Sequence, residues 1–391
     1  MNDLSVDIGY KSINHYGEYL CGDHVDVVQQ ENNDSKVVVL ADGLKSGVKA
    51  SILSTLTAKI ISTMMAHGLS LEECVNTIAA TLPISSEYGV AYSTFTVMQV
   101  NHQDEMTLLQ FDNPSVILLR GGVSIHYPQE ELVIDGKKVI KSVVKVKPND
   151  IFLTMSDGAL YAGVGKMYNY GWQRDNIIDY LEARYEPDLS AKMACTIIAE
   201  ECDRLYDHAP GDDTTVAAIR IRPRQTVSLM IGPPEHPEDD QKAVEELLDG
   251  GGKTIVCGGT TSNLVARVLD KPLIPTIEYF DPEIPPTAKI QGIDLVTEGV
   301  ITIGHVLKLA KGYLENEDLS TAWAGKKDGA SRIAQLLFEE ATDIRFIVGR
   351  AINPAHQNPD LPISIVIKMG LIDELAEILR KMGKQVTVSY Y

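Results

Sequence analysis

The chain has 391 residues, 44% hydrophobic and 23% charged, a composition of two or three packed domains rather than a disordered polymer. Its formal net charge is -19 and its pI about 4.9, so a nucleic-acid backbone is repelled and a cation is the natural partner. No apolar run approaches the roughly 18 residues that span a bilayer, and no basic stretch followed by an apolar one opens the chain.

Five scattered cysteines, Cys21, Cys74, Cys195, Cys202 and Cys257, form no C-x-x-C pair. Neither a disulfide framework nor a zinc site is expected. The expected compartment is the cytoplasm, with no membrane and no nucleic-acid partner.

In chain order, LSVDIGYKSI alternates like a half-buried strand, and VVVLAD is a continuous apolar strand. A helical pattern runs from Val48 to Ala66. A shorter one runs from Ser70 to Ala80, opened by a capping box of Ser70 and Glu73. The strands AYSTFTVMQV, EMTLLQFDN, SVILLRGG and DIFLTMSDG follow, with Asp135-Gly136 as a hairpin turn between two strand-like runs. A helix from Ala191 to Tyr206 carries Cys195 and Cys202 on one face as core residues, and TVAAIRIR closes the series. Strands outnumber helices and short turns join them, the pattern of antiparallel sheets with helices outside, an α+β sandwich over residues 1–222.

Beyond IRPRQ the pattern changes to strand and helix in alternation: VSLMIG, DDQKAVEELLDG, KTIVCGG and TSNLVARVLD. Later come strands at DIRFIVG and PISIVIK, a helix LIDELAEILRKMG and a closing strand QVTVSYY. A separate α/β domain with a largely parallel sheet is expected over residues 226–391. The proline-rich stretch KPLIPTIEYFDPEIPPTAK interrupts it.

Four aspartate-bearing segments punctuate the first domain. Asp42 ends VVVLAD, Gly22-Asp23 follows EYL, Ser156-Asp157-Gly158 ends IFLTM, and Gly211-Asp212-Asp213 precedes TVAAIRIR. Each lies beside glycine, where backbone can turn sharply or approach a ligand. Singly such pairs are turns; together they are a candidate site. Two carboxylates about 4 Å apart repel by roughly 4 kcal/mol at an effective dielectric of 20. Gathering several demands a cation, and an oxygen donor set without clustered Cys or His points to Mg²⁺ or Mn²⁺.

The order CGDHVDVV, VVVLADGLKSGVKA, NDIFLTMSDGAL and PGDDTTVAAIRI resembles the metal-dependent protein phosphatases of the 2C type (PPM), most closely the bacterial sporulation stage II E-like branch. The resemblance covers nearly all of the first domain. It implies a four-layer α-β-β-α sandwich and an enzyme that hydrolyses phosphoserine or phosphothreonine in a phosphoprotein substrate. It implies two Mn²⁺ or Mg²⁺ ions and direct attack by a hydroxide shared between them, with no phosphoenzyme. By position, Asp42 corresponds to the bridging ligand and Gly43 to a backbone-carbonyl ligand. Asp157 and Asp212 correspond to the remaining carboxylates and Asp23 to the acid near the second ion. Asp213 stands behind them in support.

Three departures matter. Leu44 stands where eukaryotic relatives carry a histidine acid, and HYGEYLCGD lacks their phosphate-clamping arginine. Lys45 replaces a glycine common in the bacterial branch; it is a candidate phosphate contact or a solvated side chain. His24 is read as a structural or solvent-facing residue. In the same branch the two helices after the Asp-Gly loop act as a switch, here Val48 to Ala66 and Ser70 to Ala80.

In the second domain a strand runs into Gly258, Gly259, Thr260 and Thr261 and then a helix. Exposed amides there suit an anion at Gly259, Thr260 and Thr261, although no P-loop or G-x-G-x-x-G is present and ordinary capping explains the same residues. Lys326-Lys327 reads as a solvated loop. The domain is expected to bind a small-ligand or protein regulator, or to form a homodimer. Two other functional classes stay open: a phosphatase-like signalling scaffold of weak or no activity, and a metal-dependent phosphoesterase of small molecules.

Overall fold

The computed structural model describes residues 4–30, 35–70, 73–74, 76–78, 93–101, 103–134, 137–276, 284–314, 323, 325–351 and 363–391. The chain divides into two compact units, Met1–Pro223 and Arg224–Tyr391.

The first unit holds two antiparallel sheets. One comprises β1 (Leu4–Ile13), β11 (Thr214–Pro223), β10 (Ile151–Met155), β6 (Ile117–Arg120) and β7 (Val123–Ser124), in that order. The other comprises β2 (Asp23–Gln29), β3 (Lys36–Gly43), β4 (Ser93–Val100), β5 (Glu105–Phe111), β9 (Lys137–Lys145) and β8 (Glu130–Ile134). Strand alternation sends successive side chains to opposite faces. Val38 therefore packs between the sheets with Phe152 and Ile219, while Val37, Val39 and Ala41 pack outward with Ala58 and Ile61 of the helix Val48–Ala66. On the other side Ile151 and Leu153 meet Cys195 and Ile198 of the helix Ala191–Leu205. Helix, sheet, sheet and helix form four layers. Each fully buried Val, Ile or Phe contributes about 1.5–3 kcal/mol.

The helix Val48–Ala66 owes little to propensity, with its many Ile, Thr and Ser residues. Packing holds it. It buries Ala50, Ser54, Thr57, Ala58, Ile61 and Met65 and leaves Val48, Ile52 and Leu56 more than half exposed, at 60%, 53% and 53%. The capping box forms: the Ser70 amide donates to Glu73 Oε2 at 2.8 Å and the Glu73 amide to Ser70 Oγ at 3.2 Å. Parts of the Ser70–Ala80 helix, and the Asp135-Gly136 turn, lie outside the described residues. The strands flanking that turn do pair antiparallel, Ile134 opposite Lys137. The helix Arg174–Glu182 falls where sequence patterning assigned no element.

The second unit is built on parallel strands: β12 (Thr226–Ile231), β13 (Lys253–Cys257), β16 (Leu295–Thr297), β17 (Asp343–Val348) and β18 (Gln385–Tyr390). Their order is β16-β13-β12-β17-β18, with two short antiparallel strands, Ile274–Pro275 and Ala288–Lys289, added beside β16. Leu229 and Phe346 join a core on one face, and Met230, Val256 and Ile347 a core on the other.

One expectation is corrected here. PISIVIK is no strand; Ile363–Lys381 is one continuous helix. A short apolar β-branched run does not distinguish a strand from a buried helix. The link between the parallel neighbours β17 and β18 needs a long crossover, and a helix from Ile363 supplies it.

Candidate metal centre

Four strand ends meet at one edge of the sandwich. In the second sheet Asp23 and Asp42 are directly opposed across β2 and β3. In the first sheet Met155 pairs with Val216, so Asp157 just beyond β10 neighbours Asp212 and Asp213 just before β11. The Ser156 hydroxyl joins the two halves. It donates to Asp23 Oδ2 at 2.7 Å and accepts from the Thr215 amide at 2.9 Å, while the Ser156 amide donates to the Thr215 carbonyl.

Glycines let the pieces close up. A Cβ on Gly43 would lie 2.2 Å from the Ala50 carbonyl oxygen, and one on Gly158 would lie 2.2 Å from the Asp213 carbonyl oxygen. Only glycine fits such contacts. The Gly43 amide donates to the Gly22 carbonyl at 3.1 Å, tying the Asp42 loop to the Asp23 loop. Asp213 is buried; its Oδ1 accepts the His15 amide at 3.0 Å, and its Oδ2 has no partner.

The electrostatics are those of charges wanting a counter-ion. Burial, then the charges of Asp23, Asp157 and Asp212, push the Asp42 carboxyl far above the usual carboxylate range. Burial raises Asp23 as well, and its hydrogen bonds from Ser156 and Thr215 pull it partly back. Asp212 is pushed up to about 6 by burial and by the Asp157 charge. Burial also raises Asp157.

The sandwich thus brings together Asp23, Asp42, Gly43, Asp157, Asp212 and Asp213. Lys45 is exposed, with φ at +69°, a left-handed conformation that favours the glycine of the bacterial branch. His24 is half-buried on β2. Its next-but-one neighbour Asp26 pairs with Lys59 of the helix Val48–Ala66 at 2.7 Å, so alternation turns His24 to that helix face and away from Asp23. Gly259, Thr260 and Thr261 belong to the second unit. Sequence reasoning gave no role to Ser156, Thr215 or His15; the one available signal was the position of Ser156 beside Asp157 at a strand end.

Residues 32–222 match the family profile of Stage II sporulation protein E, SpoIIE. The N-terminal unit is a SpoIIE-like domain of the PPM family.

The chain is similar to the PP2C phosphatase domain with a regulatory-domain fragment of the cell fate determinant SpoIIE from Bacillus subtilis. Identity is 19% and the TM-score 0.50, over 57% of this chain and 65% of that one. The match thus spans under two thirds of that structure. The RsbU and RsbW domains of a Mycobacterium tuberculosis protein align at 16% identity and TM-score 0.47, over 63% of this chain and 68% of theirs. RsbX in complex with magnesium aligns at 18% identity and TM-score 0.39, over 56% and 96%. No curated protein matches the chain.

Among the described residues of the SpoIIE-like unit, no three or more Asp, Glu, His or Cys side chains are already drawn together as a metal cage. The residues still fit a hard divalent ion in chemistry. The donors are all oxygens, and the buried Asp23 Oδ1 and Asp213 Oδ2 lack any hydrogen-bond partner. An uncompensated buried carboxylate is costly unless it is protonated or meets a cation.

Proposed function

We propose that the SpoIIE-like unit is a Mn²⁺- or Mg²⁺-dependent protein serine/threonine phosphatase. The observation that carries this reading is the meeting of Asp23, Asp42, Asp157 and Asp212 at one edge of the two sheets. Asp42, Asp157, Asp212, Asp23 and the Gly43 carbonyl would hold two ions. When bound, two such ions supply a water acidified to near neutrality and charge neutralisation for a phosphoryl group.

The chain's own residues do the positioning. β3 aims Asp42 from a rigid strand. Ser156 fixes the rotamer of Asp23 across the sandwich and favours its ionised form. The His15 amide holds Asp213 behind Asp212. Leu44 provides no proton donor beside the Asp-Gly pair, so the leaving alkoxide takes its proton from solvent. Lys45, on the exposed side of the same loop, is a contact for the substrate phosphate. A phosphoprotein substrate and a cytoplasmic signalling role follow the same reading.

The helix Val48–Ala66 buttresses Gly43 through Ala50. The exposed row Val48, Ile52 and Leu56 lies on that helix, so a protein regulator seated there reaches the metal loop through one rigid element.

The test is phosphate release from a phosphoserine peptide, with Mn²⁺ and with chelator, beside Asp42→Asn. Metal-dependent release that the variant loses supports the assignment. No release with metal bound sinks it in favour of a scaffold. Faster turnover of simple phosphate esters than of the peptide would favour a small-molecule phosphoesterase.

A further inference from the structure

The second unit has its own candidate site. In the order β16-β13-β12-β17-β18, the chain leaves β12 toward β13 on one side and reaches β17 on the other. In open parallel sheets, ligands bind outside the carboxyl ends of the strands where the order reverses. Here that point lies between the ends of β12, at Ile231-Gly232, and β17, at Val348-Gly349.

Three features converge on it. The first is a buried cation. Lys368, on the helix Ile363–Lys381, is only 7% exposed. Its Nζ donates to the Gly349 carbonyl, and a Cβ on Gly232 would lie 2.4 Å from it. An ammonium has three donors, and among the described residues no carboxylate pairs with this one. Its pKa is lowered, and burial is the only cause. A buried charge without a counter-ion is costly.

The second feature is the helix Gly259–Leu269, whose first amides have no intrahelical acceptor and no side-chain cap. It begins at the end of β13, directly beside β12. The third feature links the other two. The Gly232 amide donates to Thr261 Oγ1 at 2.9 Å in the first turn of that helix. Gly232 thus touches the lysine on one side and the helix start on the other. Gly232 and Gly258 have φ of +82° and +107°, which keeps side chains out of this corner.

We propose that the second unit binds a phosphoryl group at the carboxyl ends of β12, β13 and β17, between the Lys368 ammonium and the amides of Gly259, Thr260 and Thr261. A tetrahedral oxyanion matches a donor set of one ammonium and several amides. The group is either free inorganic phosphate or the phosphate of a nucleotide.

Hydrogen–deuterium exchange on the full chain in EDTA, with inorganic phosphate, AMP or chloride, tests this locally and without phosphatase turnover. Amides 259–262 should slow with phosphate or AMP and not with chloride, while peptides from residues 150–220 stay unchanged. Protection by phosphate alone identifies the free ion; protection by AMP alone identifies a nucleotide. Lys368→Gln should weaken binding roughly tenfold or more, the loss of one charge-assisted contact. No protection of 259–262 in the native chain by either anion overturns the proposal, whether or not the variant folds. Equal affinity in a folded Lys368→Gln overturns it as well.

Discussion

Ser156→Ala is the sharpest perturbation of the SpoIIE-like unit, because one hydroxyl serves two buried groups. It donates to Asp23 Oδ2 and accepts from the Thr215 amide. Asp23 is 6% exposed and its Oδ1 already lacks a partner. Removing the hydroxyl strands the buried Thr215 amide and takes one of two side-chain donors, Ser156 and Thr215, from a buried carboxylate. Each unsatisfied group costs about 1–3 kcal/mol. A loss of roughly 2–4 kcal/mol is expected, a large part of a typical domain stability of about 5–15 kcal/mol. A second effect is electrostatic. The Ser156 hydrogen bond lowers the Asp23 carboxyl, so the variant pushes it further up and protons compete harder with the metal. Each unit of upward shift weakens Mn²⁺ binding about tenfold where the acid is protonated. Denaturant unfolding in chelator measures the first effect, and Mn²⁺ titration from pH 6 to 9 the second. Binding should need higher pH in the variant. Unchanged stability together with an unchanged pH dependence would refute the bridging role of this serine.

Other outcomes follow from the same geometry. Asp42→Asn should abolish metal-dependent phosphate release yet raise the melting temperature in chelator. The folded-state pKa of Asp42 is raised, so its stability contribution is intact at low pH and declines as pH rises from about 4, the unfolded value, toward the folded one. The variant's advantage should therefore vanish near pH 4 and grow toward pH 8, and a melting curve at each pH checks it. Gly43→Ala forces a Cβ to 2.2 Å from the Ala50 carbonyl and should cost about 2–4 kcal/mol, read by circular dichroism melts. A chain ending at Pro223 should stay folded and retain metal-dependent release; aggregation would place the unit boundary elsewhere.

The sequence alone carried what local chemistry dictates. Strand alternation, the Ser70–Glu73 capping box and the helix Val48–Ala66 were legible because pattern period and cap chemistry are local. So was the change of architecture near Arg222. The aspartates at strand ends stood out in the sequence as a candidate set, because glycine-flanked Asp corners recur four times in one domain.

Tertiary structure decided the rest. The register that sets Asp23 opposite Asp42, and the hydroxyl of Ser156 that reaches Asp23 from 133 positions away, depend on how two sheets stack. PISIVIK became helix because a parallel crossover overrules the β-propensity of a short run. Lys368, an unremarkable residue in an apolar stretch, gained meaning only when the sheet order put the end of β12 beside the end of β17. Long-range pairing of strands leaves no local trace in composition or period, so such neighbours become visible only in the folded chain.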